Sequence, residues 1–248
     1  MLHPLWRRHR AERLRIGLLL RLHEHHELWR RLLAEFLGSA MLALIVIGSG
    51  IAAQQLSPGD VGLELLENAL ATGAGLFVII LVFGAVSGAH FNPIVSFVDA
   101  AFEGISWSMA CAYSVAQIVG CVAGAITANA LFAKAALELS TKHRATGPHF
   151  LSEVLATAGL LLVIFALARN GKHHLTPAAV GAYITGAYFF TSSTSFANPA
   201  IAIGRMFSNT FAGIAPSSTP SFIGAEVLGG VVGFVVVKTL YPTKVSTP

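Results

Sequence analysis

Two short motifs constrain the fold of this chain more than any other feature of its sequence. They are Asn198, Pro199 and Ala200, and the near-copy Asn92, Pro93 and Ile94. Asparagine is a favoured helix N-cap, and proline suits the first helical position, where no backbone N–H is needed. Each motif lies in an apolar stretch, so the sequence predicts two helices that begin at membrane depth.

Composition indicates a membrane protein. Charged residues make up only 11% of the chain, and the mean hydropathy is +0.69, which a soluble domain of this length would have difficulty covering with polar surface. Six apolar windows approach the roughly 20 residues that cross a bilayer. We predict spans at residues 36–53, 69–86, 105–133, 150–168, 177–196 and 221–240.

An enzyme is disfavoured by the content of these windows. Among the predicted spans we find no nucleophile with a base, no metal cluster and no phosphate-binding loop. We therefore expect no cofactor, no metal and no nucleic-acid partner.

The distribution of lysine and arginine predicts the orientation in the membrane. Eight arginines precede the first span. With six spans, the same face also receives Arg169, Lys172, Lys238 and Lys244, whereas the opposite face receives only Lys134, Lys142 and Arg144. An excess of basic residues marks the cytoplasmic side, so both termini of this integral membrane protein are predicted to be cytoplasmic.

The chain divides into three predicted parts. Residues 1–33 form a basic amphipathic extension, expected to lie as an interfacial helix on anionic lipid. Residues 34–241 hold the spans, and residues 242–248 form a tail that reads as disordered. Within the extension a metal-binding interpretation competes with a solvated polar face, and we prefer the polar face. The residues in question are His23, Glu24, His25, His26 and Glu27.

The region of the spans contains an internal repeat. The segment around Glu35 resembles the segment around Glu153, 118 positions later, and the two Asn-Pro motifs are 106 positions apart. Small-residue pairs that let membrane helices approach closely recur as well. These pairs are Gly120 with Gly124, and Gly229 with Gly233. Because each half, 34–133 and 150–241, holds three spans, the second half crosses in the opposite direction and the repeat is inverted.

Each Asn-Pro motif follows a stretch predicted to be non-helical, residues 84–91 in one half and 191–197 in the other. Such backbone survives at membrane depth only against protein or a water-filled cavity. Two short helices, predicted at 93–102 and 199–209, then start near the midplane and run to opposite faces. Their positive N-terminal ends meet at the centre of a pore.

The chain resembles the aquaporins and aquaglyceroporins, the major intrinsic protein channels, over residues 34–241. The resemblance rests on the Glu-Phe-Leu-Gly-Ser sequence at 35–39, on residues 87–93 and on residues 195–200. It implies an all-α membrane protein with six transmembrane helices, two re-entrant half-helices and an inverted repeat. It also implies a passive channel for small neutral solutes and water, assembled as a homotetramer in the lipid bilayer of a bacterial inner membrane.

The resemblance assigns roles to residues of the two loops. In such channels Asn92 and Asn198 turn their amide NH₂ groups into the pore and donate to the passing solute. Glu35 and Glu153 hydrogen-bond the loops, with a proton relay or exposure at the membrane interface as the alternatives for such carboxylates. The accepting carbonyls belong to Gly88, Ala89 and His90 in one loop and to Ser195, Phe196 and Ala197 in the other.

Four positions form the outer constriction of such channels, and spacing from the motifs places them at Thr72, Gly186, Ser195 and Ile201. Ala187 replaces Gly186 if the loop is one residue shorter. Water-selective members have an aromatic residue, a histidine and an arginine at these positions, and glycerol facilitators have a tryptophan and an arginine. This chain has none of them. We expect a wider, less charged filter, similar to that of a bacterial branch associated with arsenic resistance, in which an aliphatic residue replaces the filter arginine.

The solutes implied by this resemblance are arsenous acid, glycerol and urea, passing together with water. The alternatives are a water-selective channel, a secondary transporter or a non-conducting structural membrane protein. Arg205 either replaces the missing arginine from one turn away or snorkels to the interface, which is the interpretation we favour. Ile94, in place of alanine, leaves the pore width at the motif open, and Glu226 has no repeat partner.

Overall fold

The computed structural model describes the backbone of residues 4–242 and the side chains of residues 27–242, and this part of the chain contains helices and loops only. The described side chains do not include His23, Glu24, His25 and His26. Of the predicted tail, 242–248, only residue 242 is described. The α-helices of the described part are α1 (Pro4–Leu56), α2 (Val61–Ser87), α3 (Pro93–Ala101), α4 (Trp107–Leu131), α5 (Gly147–Arg169), α6 (Thr176–Phe190), α7 (Pro199–Gly204) and α8 (Thr219–Leu240).

The six predicted spans correspond to α1, α2, α4, α5, α6 and α8, and the two half-helices are α3 and α7. Five of the six are long and apolar enough to cross a bilayer, whereas α6 has only 15 residues. The predicted span 177–196 was too long at its end. Helix α6 stops at Phe190 because Thr191 is extended and the next N–H, of Ser192, bonds the hydroxyl of Ser152 at 3.1 Å.

Other predicted boundaries also differ from the structure. Helix α2 begins at Val61, eight residues before the predicted start of the second span at 69. Helix α1 runs unbroken from the extension into the first span, so residue 33 is not a helix end. Residues 84–87 are helical and not part of the loop, because the Gly88 N–H closes α2 on the Gly84 carbonyl, with Gly88 in the left-handed region. The second half-helix is shorter than 199–209. A 3₁₀ turn, Arg205–Phe207, follows α7, and Ser208 is extended.

The two halves of the chain pack through equivalent contacts. Helix α4 packs against α1, and α8 packs against α5. A Cβ built on Gly124 would lie 2.1 Å from the carbonyl oxygen of Ala40, and one built on Gly229 would lie 2.5 Å from that of Val154. Only a residue without a side chain fits such backbone contacts. The close approach predicted from the small-residue pairs is confirmed.

The half-helices start as the motifs predict. Asn92 and Asn198 are both extended N-caps, with φ of −152° and −160°. The side-chain oxygen of Asn92 accepts from the Ile94 N–H at 2.9 Å, and that of Asn198 accepts from the Ala200 N–H at 3.0 Å. Both half-helices pack against α4 and α8. The two motifs are thereby brought together between the halves of the protein.

Candidate pore

A cavity of about 410 Å³ runs past both Asn-Pro motifs. Its lining includes Arg205, just beyond α7, as well as Asp99 near the end of α3 and His173 between α5 and α6. Much of the wall is apolar and comes from the long helices, with residues such as Leu42, Val46, Leu76, Leu160, Ile164 and Ile184. The polar lining therefore belongs largely to the two loops and to the ends of the half-helices.

The two motif asparagines line this cavity and hold the loops to each other. The Asn92 Nδ2 donates to the Ala197 carbonyl at 2.6 Å, and the Asn198 Nδ2 donates to the Phe91 carbonyl at 2.7 Å. An amide NH₂ has two hydrogens. Each asparagine thus uses one hydrogen across the interface between the halves and retains one for the cavity.

The loops before the motifs share an unusual backbone. Ala89 and Phe91 in the first loop have φ of 53° and 50°, and Ser195 and Ala197 in the second have φ of 50° and 49°. Residues with a side chain are uncommon in this left-handed region, and each such residue costs about 1–3 kcal/mol. The equivalent residues are 106 positions apart, so both halves hold the same strained loop.

The two glutamates singled out by the repeat hold the loop backbone. Both are fully buried. Glu35 accepts from the N–H groups of His90 and Phe91 at 3.0 and 2.7 Å. Glu153 accepts from the N–H groups of Phe196 and Ala197 at 2.9 and 2.7 Å. Hydrogen bonds to a carboxylate are stronger than neutral ones, so these contacts offset part of the strain in each loop.

The cavity lining agrees only partly with the predicted carbonyl ladder. Gly88, Ala89 and His90 line the cavity, as do Ser195 and Phe196. Ala197 does not. It is fully buried, and its carbonyl is engaged by Asn92 as described above. The assignment of Ala197 as a pore-lining acceptor was therefore wrong.

The predicted filter position on α6 is also wrong. Thr72, Ser195 and Ile201 line the cavity, but Gly186 lies on the exposed side of α6, and the alternative Ala187 is buried away from the cavity. Residues four apart share a face of a helix, and here Ile184 and Tyr188 form the cavity-facing side. The Tyr188 hydroxyl lies 3.1 Å from the Thr72 hydroxyl oxygen. A tyrosine therefore stands where a small residue was expected.

Arg205 does not snorkel to the interface. Only 1% of its surface is exposed, and it lines the cavity. Its guanidinium carbon lies 3.5 Å from the centre of the Phe196 ring, a cation–π contact, and its Nε donates to the Ala212 carbonyl. The favoured interpretation was wrong because residues 208–214 fold back over the end of α7. The expectation of a less charged filter fails with it.

Two further cations surround this end of the cavity. Arg144 donates to the carbonyls of Gly213, Ser193 and Phe211, and its guanidinium lies 5.4 Å from the Phe196 ring. Lys142 donates to the Phe211 carbonyl at 2.9 Å. Burial, followed by the charges of Arg144 and Arg205, lowers the pKa of Lys142 to about 8. These three cations lie near one mouth of the cavity, and the positive charge contributed by Lys142 is lost as the pH rises through 8.

Ile94 does not stand between the half-helices. Its Cγ2 would be 2.8 Å from a Cβ built on Gly230, so the side chain packs against α8. The absence of a side chain at position 230 makes room for the extra carbons of isoleucine. The separation of the motifs is fixed instead by the two asparagine-to-carbonyl bonds.

Two inverted halves, each with a capped half-helix aimed at a shared cavity, define a membrane channel and not an enzyme. The model of the family described as "Major intrinsic protein" matches residues 22–196. The chain belongs to this family, whose members are channels for water and small solutes such as glycerol.

Individual relatives agree with this assignment. The chain is 44% identical to the aquaglyceroporin AqpS of Rhizobium meliloti (strain 1021) over 88% of this chain and 92% of that protein. It is 29% identical to the lens fiber major intrinsic protein of Gallus gallus over 80% and 71% of the two chains. The X-ray structure of the aquaglyceroporin from Plasmodium falciparum matches with a TM-score of 0.64 and 26% identity, covering 88% of this chain and 96% of that one. The family and fold class expected from the sequence are confirmed.

Proposed function

We propose that the cavity conducts small uncharged polyhydroxy solutes, of the kind of arsenous acid and glycerol, together with water, by passive flow. The observation that carries the proposal is the arrangement of Arg205. Within the described residues the only hydrogen bond of its side chain is from Nε, so both Nη groups keep their N–H donors for whatever occupies the cavity. The aquaglyceroporin from Rhizobium meliloti supports the same class of solute.

Other polar groups at this end suit a hydroxylated solute. The Ser195 hydroxyl is buried and has no partner among the described residues, although Ser195 lines the cavity. Thr72 and Tyr188 add a second pair of hydroxyls. The solute's oxygens can bond this side while its apolar atoms contact Ile201 and the aliphatic wall. We assign Thr72, Tyr188, Ser195, Ile201 and Arg205 as the selectivity ring.

The charges around the cavity favour neutral solutes over cations. Two half-helix N-termini point toward its centre, and each carries a positive partial charge. Arg205, Arg144 and Lys142 add three positive charges around one mouth. We assign Asn92 and Asn198 as central donors. Gly88, Ala89, His90, Ser195 and Phe196 supply the accepting carbonyls, and Glu35 and Glu153 act as loop supports.

Assembly and orientation belong to the same proposal. We propose a homotetramer in a bacterial inner membrane, with four separate pores and both termini cytoplasmic. The asymmetry of basic residues supports the orientation, and the bacterial relative supports the membrane. The outer helix faces carry many exposed apolar side chains, which suit lipid or neighbouring subunits. Native mass measurement in mild detergent is expected to give the tetramer, and monomer alone would contradict it.

The solute prediction is tested with purified protein in liposomes. Gradients of water, urea, glycerol and arsenous acid are imposed, and flux is followed by light scattering or, for arsenic, by elemental analysis. We expect all four to move faster than through empty liposomes, without any dependence on an ion gradient. Water flux alone identifies a water-selective channel. Ion dependence or acceleration by solute on the far side identifies a transporter, and no flux at all identifies a structural protein.

A further inference from the structure

Glu226 has a repeat partner after all, and that partner explains what it does. Gln117 lies three residues before Gly120 on α4, and Glu226 lies three residues before Gly229 on α8. Both glycines contact the first helix of their own half in the same way, at Phe36 and Val154. Gln117 and Glu226 therefore occupy the same position of the inverted repeat.

In the first half this position donates a hydrogen bond to the buried glutamate. The Gln117 Nε2 lies 2.8 Å from Glu35 Oε2 and donates to it. Glu35 also accepts from the Ser87 hydroxyl at 2.6 Å and from two loop N–H groups. Each oxygen of the Glu35 carboxylate thus has two donors, one of which is the side-chain amide of Gln117.

In the second half the same position holds a carboxyl group. Glu226 Oε1 accepts from the Asn198 N–H at 3.0 Å. Its Oε2 is buried with no donor among the described residues. Glu153 accepts from the Ala197 N–H and Glu226 accepts from the N–H of the next residue, so the two carboxyl groups are neighbours, as Glu35 and Gln117 are in the first half. Both glutamates are fully buried. Glu153 already accepts from two loop N–H groups and from Ser193, so it is the better stabilised of the two as an anion.

Two ionised carboxylates in contact inside a protein repel strongly, and such pairs hold one proton between them. The charged and titratable groups near the pair are Arg205, Arg144 and Tyr183. The two arginines stabilise one negative charge, and the three donors on Glu153 place that charge there. A hydrogen on Glu226 Oε2 then gives this oxygen the bond that it otherwise lacks.

We propose that Glu226 is a neutral carboxylic acid that donates its proton to Glu153, in the place where Gln117 donates an amide hydrogen to Glu35. Glu226 is a positioning residue: through Oε1 it fixes the Asn198 N–H, and through its proton it fixes the carboxylate that holds Phe196 and Ala197. The second loop is therefore held by an acid pair, whereas the first is held by an acid and an amide.

Infrared spectroscopy of the purified channel tests the proton directly. At about pH 7.5 a carboxyl group in water is ionised, so a carbonyl band of a protonated carboxylic acid that resists deuterium exchange must come from a buried acid. We expect this band in the parent and its loss in Glu226→Gln. Gln117→Glu, which builds the same pair around Glu35, is expected to add a second such band. A parent without the band, or an unchanged band in Glu226→Gln, overturns the proposal.

Flux separates positioning from simple packing. In Glu226→Gln an amide N–H can donate to Glu153 and the amide oxygen can accept from Asn198, so glycerol flux is expected to stay within about twofold of the parent. Glu226→Leu keeps the volume but loses both bonds, and its flux is expected to fall about tenfold or more. Equal flux in the two variants would overturn the positioning role. The infrared result does not depend on the proposed solute, so failure of the pore assignment and failure of the proton assignment are distinguishable.

Discussion

The Asn198→Asp variant is expected to lose about nine-tenths or more of its glycerol flux and to leak cations. Asn198 donates from Nδ2 to the Phe91 carbonyl, and its Oδ1 caps α7. An ionised aspartate keeps the cap, because it still accepts, but has no hydrogen for Phe91 or for a solute. The loss of a donor at a buried site costs about 1–3 kcal/mol, equivalent to about 5-fold to 150-fold, and the expected tenfold fall in flux lies within that range.

The new charge changes ion selectivity as well. A carboxylate at this point faces the two helix N-termini. Its negative charge offsets their positive partial charges, so an approaching cation is repelled less strongly. The measurement pairs glycerol flux with potassium leak from the same liposomes. Asn170→Asp is a matched control, because Asn170 is exposed at the end of α5, and it is expected to behave as the parent. Unchanged flux and unchanged leak in Asn198→Asp would show that solute does not pass this motif.

Arg205→Leu is expected to lower the ratio of glycerol to water flux about tenfold and to admit cations. Leucine occupies part of the buried space but offers neither charge nor donors. Hydrogen bonds to a charged group are worth about 1.5–3 kcal/mol, and a polyol in the selectivity ring depends on them more than a single water molecule does. Both effects are read from swelling and ion-leak measurements on one preparation.

Arg205→Lys separates charge from donor geometry. Lysine keeps a positive charge but lacks the planar fork of donors, so we expect the cation barrier to remain while the glycerol ratio falls severalfold. Arg30→Leu is the control, since it removes an arginine whose partner, Glu27, lies on the surface 3.1 Å away. A wild-type glycerol ratio in Arg205→Leu would remove Arg205 from the selectivity ring.

Features that repeat along the chain were the most predictable from sequence. The capped half-helices follow from the local chemistry of Asn-Pro, and the glycine pairs report backbone contacts that no larger residue permits. The half-helix starts and the glycine contacts both depend on what the backbone requires at one or two positions. The residue type at those positions is therefore enough to predict them. The inverted repeat adds a second copy of each, so that one half supports the interpretation of the other.

Side chains whose position depends on where a helix ends were not predictable. Counting back from Asn198 placed Gly186 in the filter, but α6 stops at Phe190 and presents Tyr188 to the cavity. Arg205 was misplaced for a similar reason, since α7 ends at Gly204 and the following segment folds over it. Spacing carried over from other channels assumes that the helices end at equivalent residues, and that spacing did not locate Tyr188 or Arg205.

The partnership of Glu226 was visible in the sequence but was not recognised. The distance between equivalent residues is 118 positions in the first helix of each half, 106 at the motifs and 109 at the glycine pairs. Applying the last value to Gln117 gives Glu226. The offset varies because the loops between the elements differ in length, so each helix needs its own value.

The most direct test that solute passes through this cavity is to introduce a single cysteine and ask whether a thiol reagent blocks the flux. The background lacks both native cysteines, Cys111 and Cys121. Ile201→Cys places the thiol in the cavity lining, and Gly186→Cys places it on the outer side of α6. We predict that a small mercurial stops glycerol flux in Ile201→Cys, reversibly with excess thiol, and leaves Gly186→Cys unaffected. The location of the pore would be contradicted if the mercurial stopped glycerol flux in Gly186→Cys and left the flux of Ile201→Cys unchanged.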